Sequence, residues 1–316
     1  MAVKIVIEPI FEADFKECSF GFRPEKDAHQ ALDRVRKACN NGGWWVVDLD
    51  IRKYFDSINH SKLMLLVQQR ISDRRILKLI RQWLEAGIME DGVFTPSDLG
   101  SPQGGVISPL LANIYLHYLD FLWEKHLSHR GVFTRYADDA VIVCRSRKDA
   151  LAALEAVRSL LCRLELQLHP EKTRLVNLWD GKEGFDFLGF HHRRTKAQTK
   201  SGRWYYTTQQ WPSAKAMQKM RQGVKDLLAP GLTLLLPVRE LIQRLNPVLR
   251  GWRNYYGLPY ARKKLGQIDY HVLLRLTIWL NRKKQRKGRH QRSSEAYRLS
   301  RALGLERLAV YSHAPG

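Results

Sequence analysis

Two acidic sites stand out in the 316-residue chain. Asp48-Leu49-Asp50 ends a run of large apolar residues that begins at Trp44. In an extended chain alternate side chains share a face, so Asp48 and Asp50 point the same way. Asp138-Asp139 lies in Tyr136-Ala137-Asp138-Asp139, between strand-like stretches at residues 133–135 and 141–143. Like charges packed together are costly unless a cation neutralises them. Such a cluster can hold two divalent metals about 3.5–4 Å apart, which activate a hydroxyl and stabilise an oxygen leaving phosphorus. Mg²⁺ suits hard carboxylate oxygens and keeps positions open for substrate phosphates. Taken alone, Asp-Asp is also an ordinary solvated hairpin turn, and Asp48 an ordinary ion-pair partner. The case for chemistry rests on the combination.

These carboxylates need elements to hold them. Residues 44–51 read as a short strand behind the Asn40-Asn41-Gly42-Gly43 breaker. Residues 133–144 read as two strands joined at Asp138-Asp139. Helices are expected at 22–40 (entered through Arg23-Pro24), across 60–86, and at 149–166. Ser108-Pro109 makes a good helix start, with Ser as cap and Pro in the first turn. Behind it Leu111, Ile114, Tyr115, Tyr118, Leu119 and Leu122 recur at helical spacing. Residues 185–191 read as a strand. The N-terminal part is therefore an α+β domain with hairpins in an antiparallel sheet. After about Arg193 the character changes. A Lys/Gly/Ser stretch leads to Trp204-Tyr205-Tyr206 and then to helices, among them one from Val238 to Tyr256 with Pro247 as a break, and one over 270–281.

Charge separates the two parts. The whole chain is +22 at pH 7. Residues 1–190 hold 26 Lys+Arg and 26 Asp+Glu, whereas residues 191–316 hold 27 and 5. Seven of the eleven residues 282–292 are Lys or Arg. A polyanion is the natural partner for such a part, and nucleic acid leads a membrane surface. The four cysteines stand singly, with no C-x-x-C pair, which argues against a zinc ribbon or a disulfide framework. No apolar stretch reaches the ~20 residues of a membrane span, and no secretory signal is visible. A reducing, cytoplasmic, nucleoid-associated setting is the expectation.

The motifs resemble those of group II intron-encoded reverse transcriptases. Tyr136-Ala137-Asp138-Asp139 looks like the YADD box, and Asp50-Ile51-Arg52-Lys53-Tyr54-Phe55 like the first catalytic motif. Phe20-Gly21-Phe22-Arg23-Pro24 is similar to the signature that precedes it. Ser101-Pro102-Gln103-Gly104-Gly105 with Ser108-Pro109-Leu110-Leu111-Ala112-Asn113 resembles the motif lining nucleotide and template. Leu168-His169-Pro170-Glu171-Lys172-Thr173 and Phe187-Leu188-Gly189-Phe190 resemble the motifs that follow. Leu249-Arg250-Gly251-Trp252-Arg253-Asn254-Tyr255-Tyr256-Gly257 looks like the maturase-specific thumb, domain X.

The resemblance implies a right-hand polymerase palm followed by an α-helical thumb. It places the reverse transcriptase domain at 1–192, a connector at 193–214, domain X at 215–300 and a tail at 301–316. It implies an RNA-directed DNA polymerase extending a DNA or RNA primer with dNTPs on an RNA template, and assisting intron RNA splicing and mobility. The alternative is a maturase that binds structured intron RNA without synthesis. Asp50, Asp138 and Asp139 would be the catalytic ligands of two Mg²⁺ (Mn²⁺ as a substitute), aided by the backbone of Ile51. Phe55, Gln103 and Lys172 would contact the nucleotide, Phe55 as the gate against a ribose 2′-hydroxyl. Arg23, Gly104, Tyr136, Arg250, Trp252, Arg253, Lys283, Lys284, Arg286 and Lys287 would contact nucleic acid, Arg and aromatic residues together suiting phosphates and bases. Complete members of the family begin further upstream and Met1 falls within the second of their fingers motifs, so the chain is expected to lack most of the N-terminal fingers. No Cys/His cluster follows the basic run, as a zinc-containing endonuclease would require.

Overall fold

The computed structural model describes residues 1–85, 88–90, 93–95, 105–199, 201–229, 231–285 and 293–309. The chain forms two compact units, Met1–Leu188 with Arg193–Thr208, and Gly189–His192 with Gln209–Gly316.

The first unit is built on four strands, β1 (Trp45–Asp50), β4 (Val132–Tyr136), β5 (Asp139–Cys144) and β6 (Arg174–Asn177), in the order β4-β5-β1-β6. The three ladders, β4 to β5, β5 to β1 and β1 to β6, are antiparallel. Strand period decides which residues face which way. Val47 and Leu49 of β1 share a core with Ala140, Ile142 and Cys144 of β5. Helices α1 (Ala2–Glu12), α3 (His60–Gln68), α4 (Arg74–Glu85), α5 (Ser108–Leu122) and α6 (Arg147–Arg163) contribute to the same core. Each fully buried Leu or Ile there is worth about 1.5–3 kcal/mol. The alternate residues, Asp48 and Asp50 of β1 and Asp139 of β5, are thereby turned to the opposite face of the sheet. A short antiparallel pair, β2 (Ile88–Glu90) and β3 (Val93–Thr95), stands apart from it. A further three strands, β7 (Gly184–Phe187), β8 (Phe190–Gln198) and β9 (Trp204–Pro212), form a separate sheet in sequence order.

Several boundaries differ from the sequence expectation. Helix α2 is Ala28–Asn40, not 22–40, because Phe22 and Glu25 adopt φ of 57° and an Asp27/Gln30 capping box starts the helix. The helix-rich stretch expected across 60–86 holds the two helices α3 and α4. Ser108 lies inside α5 as its first residue, with Ile107 at the cap position. The strand expected at 185–191 is a hairpin, β7 turning into β8 at Leu188-Gly189, where φ is 50° and 76°. Two positive φ values match the right-handed strand twist. A side chain at Gly189 would place its Cβ 2.6 Å from the Tyr256 hydroxyl oxygen.

The second unit is helical. Helix α7 (Ala214–Leu227) buries Met217, Met220 and Val224, and α8 (Val238–Tyr256) buries Leu241, Ile242, Leu245 and Leu249. Pro247 does not end α8: buried Leu245 and Leu249 hold the helix on both sides of the missing N–H. Helix α9 (Arg262–Lys283) starts well before residue 270 and packs against α7 and α10 (Ser293–Ala302). The Asp269 carboxylate accepts the backbone N–H groups of Leu308 and Ala309, at 2.8 and 3.0 Å. Among the described residues no helix is long and apolar enough to cross a membrane.

Candidate active site

The carboxylates meet at one end of the four-stranded sheet. Asp50, the last residue of β1, sits directly opposite Asp139, the first of β5, and Asp48 sits opposite Val141. Tyr136 pairs with Asp139 in the other direction, so Ala137 and Asp138 alone form the hairpin loop. Asp138 is thus a loop residue, while Asp139 belongs to the sheet.

Their environments differ. Burial pushes the Asp139 carboxyl up to about 7, helped by the charges of Asp48, Asp138 and Asp50 and opposed by a hydrogen bond from the Leu188 backbone. Burial also raises Asp138, with Asp50 adding to it and Arg135 opposing it. Asp48 is raised by burial despite its ion pair with Arg174 at 3.0 Å. Lys172 Nζ lies 3.4 Å from Asp50 Oδ2, and the His169 N–H donates to the Asp50 carbonyl at 2.8 Å. That bond and the Ile51–Leu168 bridge lay the segment 167–173 along the end of β1. Phe55 follows on a 3₁₀ turn, Tyr54–Ser57, half-buried with its ring edge-on to Tyr54 at 5.3 Å. Tyr54 is anchored through its hydroxyl, which donates to the Ala112 carbonyl at 2.5 Å.

The Asp138 loop is held from behind by residues the sequence reading did not assign. Arg135 is 1% exposed and donates Nε to Asp120 Oδ1 at 2.9 Å, Nη1 to the Ala137 carbonyl at 2.8 Å and to Asn113 Oδ1 at 3.0 Å, and Nη2 to Ser19 Oγ at 2.7 Å. Its salt bridge to Asp120 is completely buried. Ala137 itself is left-handed, at φ 56°. Asn113 Nδ2 donates to the Gly21 carbonyl at 2.7 Å, and a Cβ on Gly21 would fall 2.4 Å from Ala137 N. The segment 18–21 therefore braces the aspartate hairpin, with backbone bonds Arg135 N to Cys18 O and Phe20 N to Arg135 O. The signal was available: an acid on the apolar face of α5 and an arginine inside a buried strand imply each other.

Arg23, expected on nucleic acid, is a correction. It is 8% exposed and its guanidinium is consumed by Glu12 and by the carbonyls of Lys16 and Ser19. Lys283 is another, since its ammonium donates to the carbonyls of Leu234 and Leu236 at 2.7 and 2.8 Å. Lys284 pairs with Glu295, and Arg250 and Arg253 share Glu306. Trp252 packs on Tyr256 at 4.5 Å. Tyr136 is half-buried beside exposed Phe22, their ring centroids 6.4 Å apart. Gln103, Gly104, Arg286 and Lys287 lie outside the described residues.

Among the described residues no three His, Cys, Asp or Glu side chains converge closely enough to hold an ion as they stand. The donor set nonetheless fits a hard divalent cation. It is all carboxylate and half-buried, and burial, with the neighbouring carboxylate charges adding to it, raises Asp138 and Asp139.

A profile described as reverse transcriptase (RNA-dependent DNA polymerase) matches residues 1–192. The chain belongs to the reverse transcriptase family. A second profile, the group II intron maturase-specific domain, matches residues 217–297, which places the chain in the group II intron-encoded branch. Protein LtrA of Lactococcus lactis, named group II intron-encoded, is 43% identical over 353 aligned positions, covering 86% of this chain and 58% of that protein. Protein YkfC of Escherichia coli is 35% identical over 241 positions, covering 64% of this chain and 61% of that one. The chain thus spans about three-fifths of the length of these two relatives. Among solved structures, telomerase of Candida tropicalis with a TWJ fragment of telomeric RNA matches at a TM-score of 0.48 and 13% identity, over 95% of this chain and 53% of that one. That likeness is too loose to carry weight.

Proposed function

We propose that this chain extends a DNA or RNA primer with dNTPs on an RNA template, in the service of a group II intron whose RNA it also binds. The observation that carries the reading is the register of β1 on β5, which sets Asp50 against Asp139 with Asp138 in the adjoining two-residue loop. Mg²⁺ held by Asp50, Asp138 and Asp139 would activate the primer 3′-hydroxyl and offset charge on the leaving pyrophosphate. The remaining steps belong to the protein. The Arg135 network keeps the Asp138 loop in place, so the carboxylates are fixed before substrate arrives. Lys172, exposed beside Asp50, offers a positive charge to the nucleotide phosphates. Phe55, on the turn that follows β1, is in this reading the side chain that screens the sugar. The basic C-terminal part supplies the electrostatic attraction for RNA.

The test is primer extension on an RNA template with Mg²⁺ and dNTPs, beside an Asp138→Asn/Asp139→Asn double variant. Extension by the wild type alone supports the polymerase reading. Absence of extension from both, with RNA binding intact in both, replaces it with a maturase that binds intron RNA without synthesis.

A further inference from the structure

Residues 193–216 fall between the two matched family profiles, yet they carry an organised surface. Arg194 on β8 lies among three rings, its Cζ 4.6 Å from the Trp179 centroid, 4.8 Å from Tyr206 and 5.4 Å from Trp44. It is held there by a hydrogen bond from Nη1 to the Trp179 carbonyl at 2.7 Å, and Trp44 and Trp179 pack together at 4.4 Å. Two residues further along β8, Lys196 Nζ sits 4.8 Å over the Trp204 ring. Arg194 and Lys196 share one face of β8, as Tyr206 and Trp204 share one face of β9. The two contacts therefore continue one strip of rings and cations. The hairpin end is tied by Thr199 N to Arg203 O, Arg203 N to Thr199 Oγ1 and Gln198 Nε2 to Gly202 O, at 2.9, 3.0 and 2.9 Å.

This strip is left open. Trp179 and Trp204 are each 55% exposed and Tyr206 60%. Scattered apolar residues on a surface are ordinary, but large rings gathered on one strip and interleaved with cations mark a binding face. The charge identifies its partner: residues 187–225 contain nine Lys or Arg and no Asp or Glu. A segment free of acids suits a polyanion, and exposed rings suit bases that are not already stacked in a duplex.

We propose that the β8–β9 hairpin with Trp179 is a stacking platform for an unpaired stretch of RNA. Bases lie on Trp204, Tyr206 and Trp179, and Lys196 and Arg203 meet the flanking phosphates. Arg194 fixes the rings from within the strip. The inference rests on the proposed function in one respect, that RNA is the polymer the chain meets; it makes no use of the aspartates.

The test is fluorescence anisotropy of the full chain with an unstructured A/C RNA of about 12 nucleotides, beside a duplex RNA and single-stranded DNA of the same sequence. Trp204→Ala and Tyr206→Ala are each expected to weaken single-stranded RNA binding about 5- to 150-fold, as loss of one base stack does. Trp204→Phe keeps most of the affinity, and duplex binding is unchanged. Lys196→Ala/Arg203→Ala flattens the salt dependence by about 1.4 in log–log slope, two phosphates' worth. Unfolding midpoints confirm that these exposed positions leave the fold intact. Unchanged affinity in Trp204→Ala and Tyr206→Ala overturns the proposal, as does equal loss on duplex RNA, or tighter binding of the DNA strand than of RNA. The two readings fail separately. Primer extension by Asp138→Asn/Asp139→Asn reads the aspartates and oligonucleotide binding by Trp204→Ala reads the hairpin, so either reading can fail while the other holds.

Discussion

Replacing Arg135 by Ala tests the link between the fold and the aspartates. The Arg135 and Asp120 side chains are 1% and 0% exposed, so each depends on the other to offset its charge. Removing the guanidinium strands the Asp120 carboxylate, a loss of about 3–5 kcal/mol when one partner of a buried pair is deleted. Ser19 Oγ, Asn113 Oδ1 and the Ala137 carbonyl lose their donor as well. Domains of this size are stable by only about 5–15 kcal/mol, so the variant should sit at the edge of folding, with a midpoint lower by roughly 6–20 °C. Urea unfolding followed by circular dichroism measures the loss. A second variant separates stability from positioning. Asp120→Leu/Arg135→Met removes both charges at similar volume, and such replacements recover or exceed the original stability. The Ala137 carbonyl still has no anchor, so primer extension should stay at least ten-fold low while the midpoint returns. A single variant that loses less than about 1 kcal/mol would refute the buried pair as placed, since that is the range of an exposed one. A double variant that extends primers like the wild type would refute the argument that this network positions Asp138 and Asp139.

Four further outcomes follow from the same site. The Asp139 carboxyl is raised from 3.8 to about 7, so the fold bears no cost from it below pH 4 and bears the full cost above pH 7. Without divalent metal, Asp139→Asn should therefore match the wild type near pH 4 and exceed it at pH 8, by on the order of 1–3 kcal/mol below a ceiling of about 4. Adding Mg²⁺ at pH 8 should raise the wild-type midpoint and leave that of Asp139→Asn nearly still; equal shifts in both would remove the metal from this site. Gly21→Ala drives a Cβ to 2.4 Å from the Ala137 nitrogen, backbone against backbone. It should destabilise by about 1–3 kcal/mol and lower extension more than a Gly→Ala change at Gly223, which has open space around it. Phe55→Ala should raise ribonucleotide incorporation relative to deoxyribonucleotide by ten-fold or more in kcat/KM, equivalent to about 1.4 kcal/mol of lost discrimination; an unchanged ratio would return Phe55 to plain packing against Tyr54.

What the sequence could show of this site was its carboxylates and the face that two of them share. Alternation placed Asp48 and Asp50 on one face of β1, and the antiparallel ladder does bring that face to Asp139. The alternation could not reveal that Asp139 belongs to a strand and Asp138 to a loop, because a two-residue turn and a four-residue one share the same letters. The difference lies in Ala137, whose left-handed backbone is held by a hydrogen bond from the Arg135 guanidinium and by a glycine over a hundred residues upstream. Such non-local support leaves no periodicity to read. Arginine and lysine roles were hardest to read for a related reason. A cation in a motif says that an anion or a carbonyl is near, not which one. Arg23 and Lys283 found theirs inside the protein, at Glu12 and at the carbonyls of Leu234 and Leu236. Arg194 found rings, and those rings face outward. Net charge correctly located a basic half, yet the arrangement best suited to a polyanion is the one where cations are interleaved with exposed aromatics. Phe121 and Tyr297 also carry cations, but the β8–β9 hairpin with Trp179 has more exposed rings, so the search for an RNA contact begins there, before the basic helices.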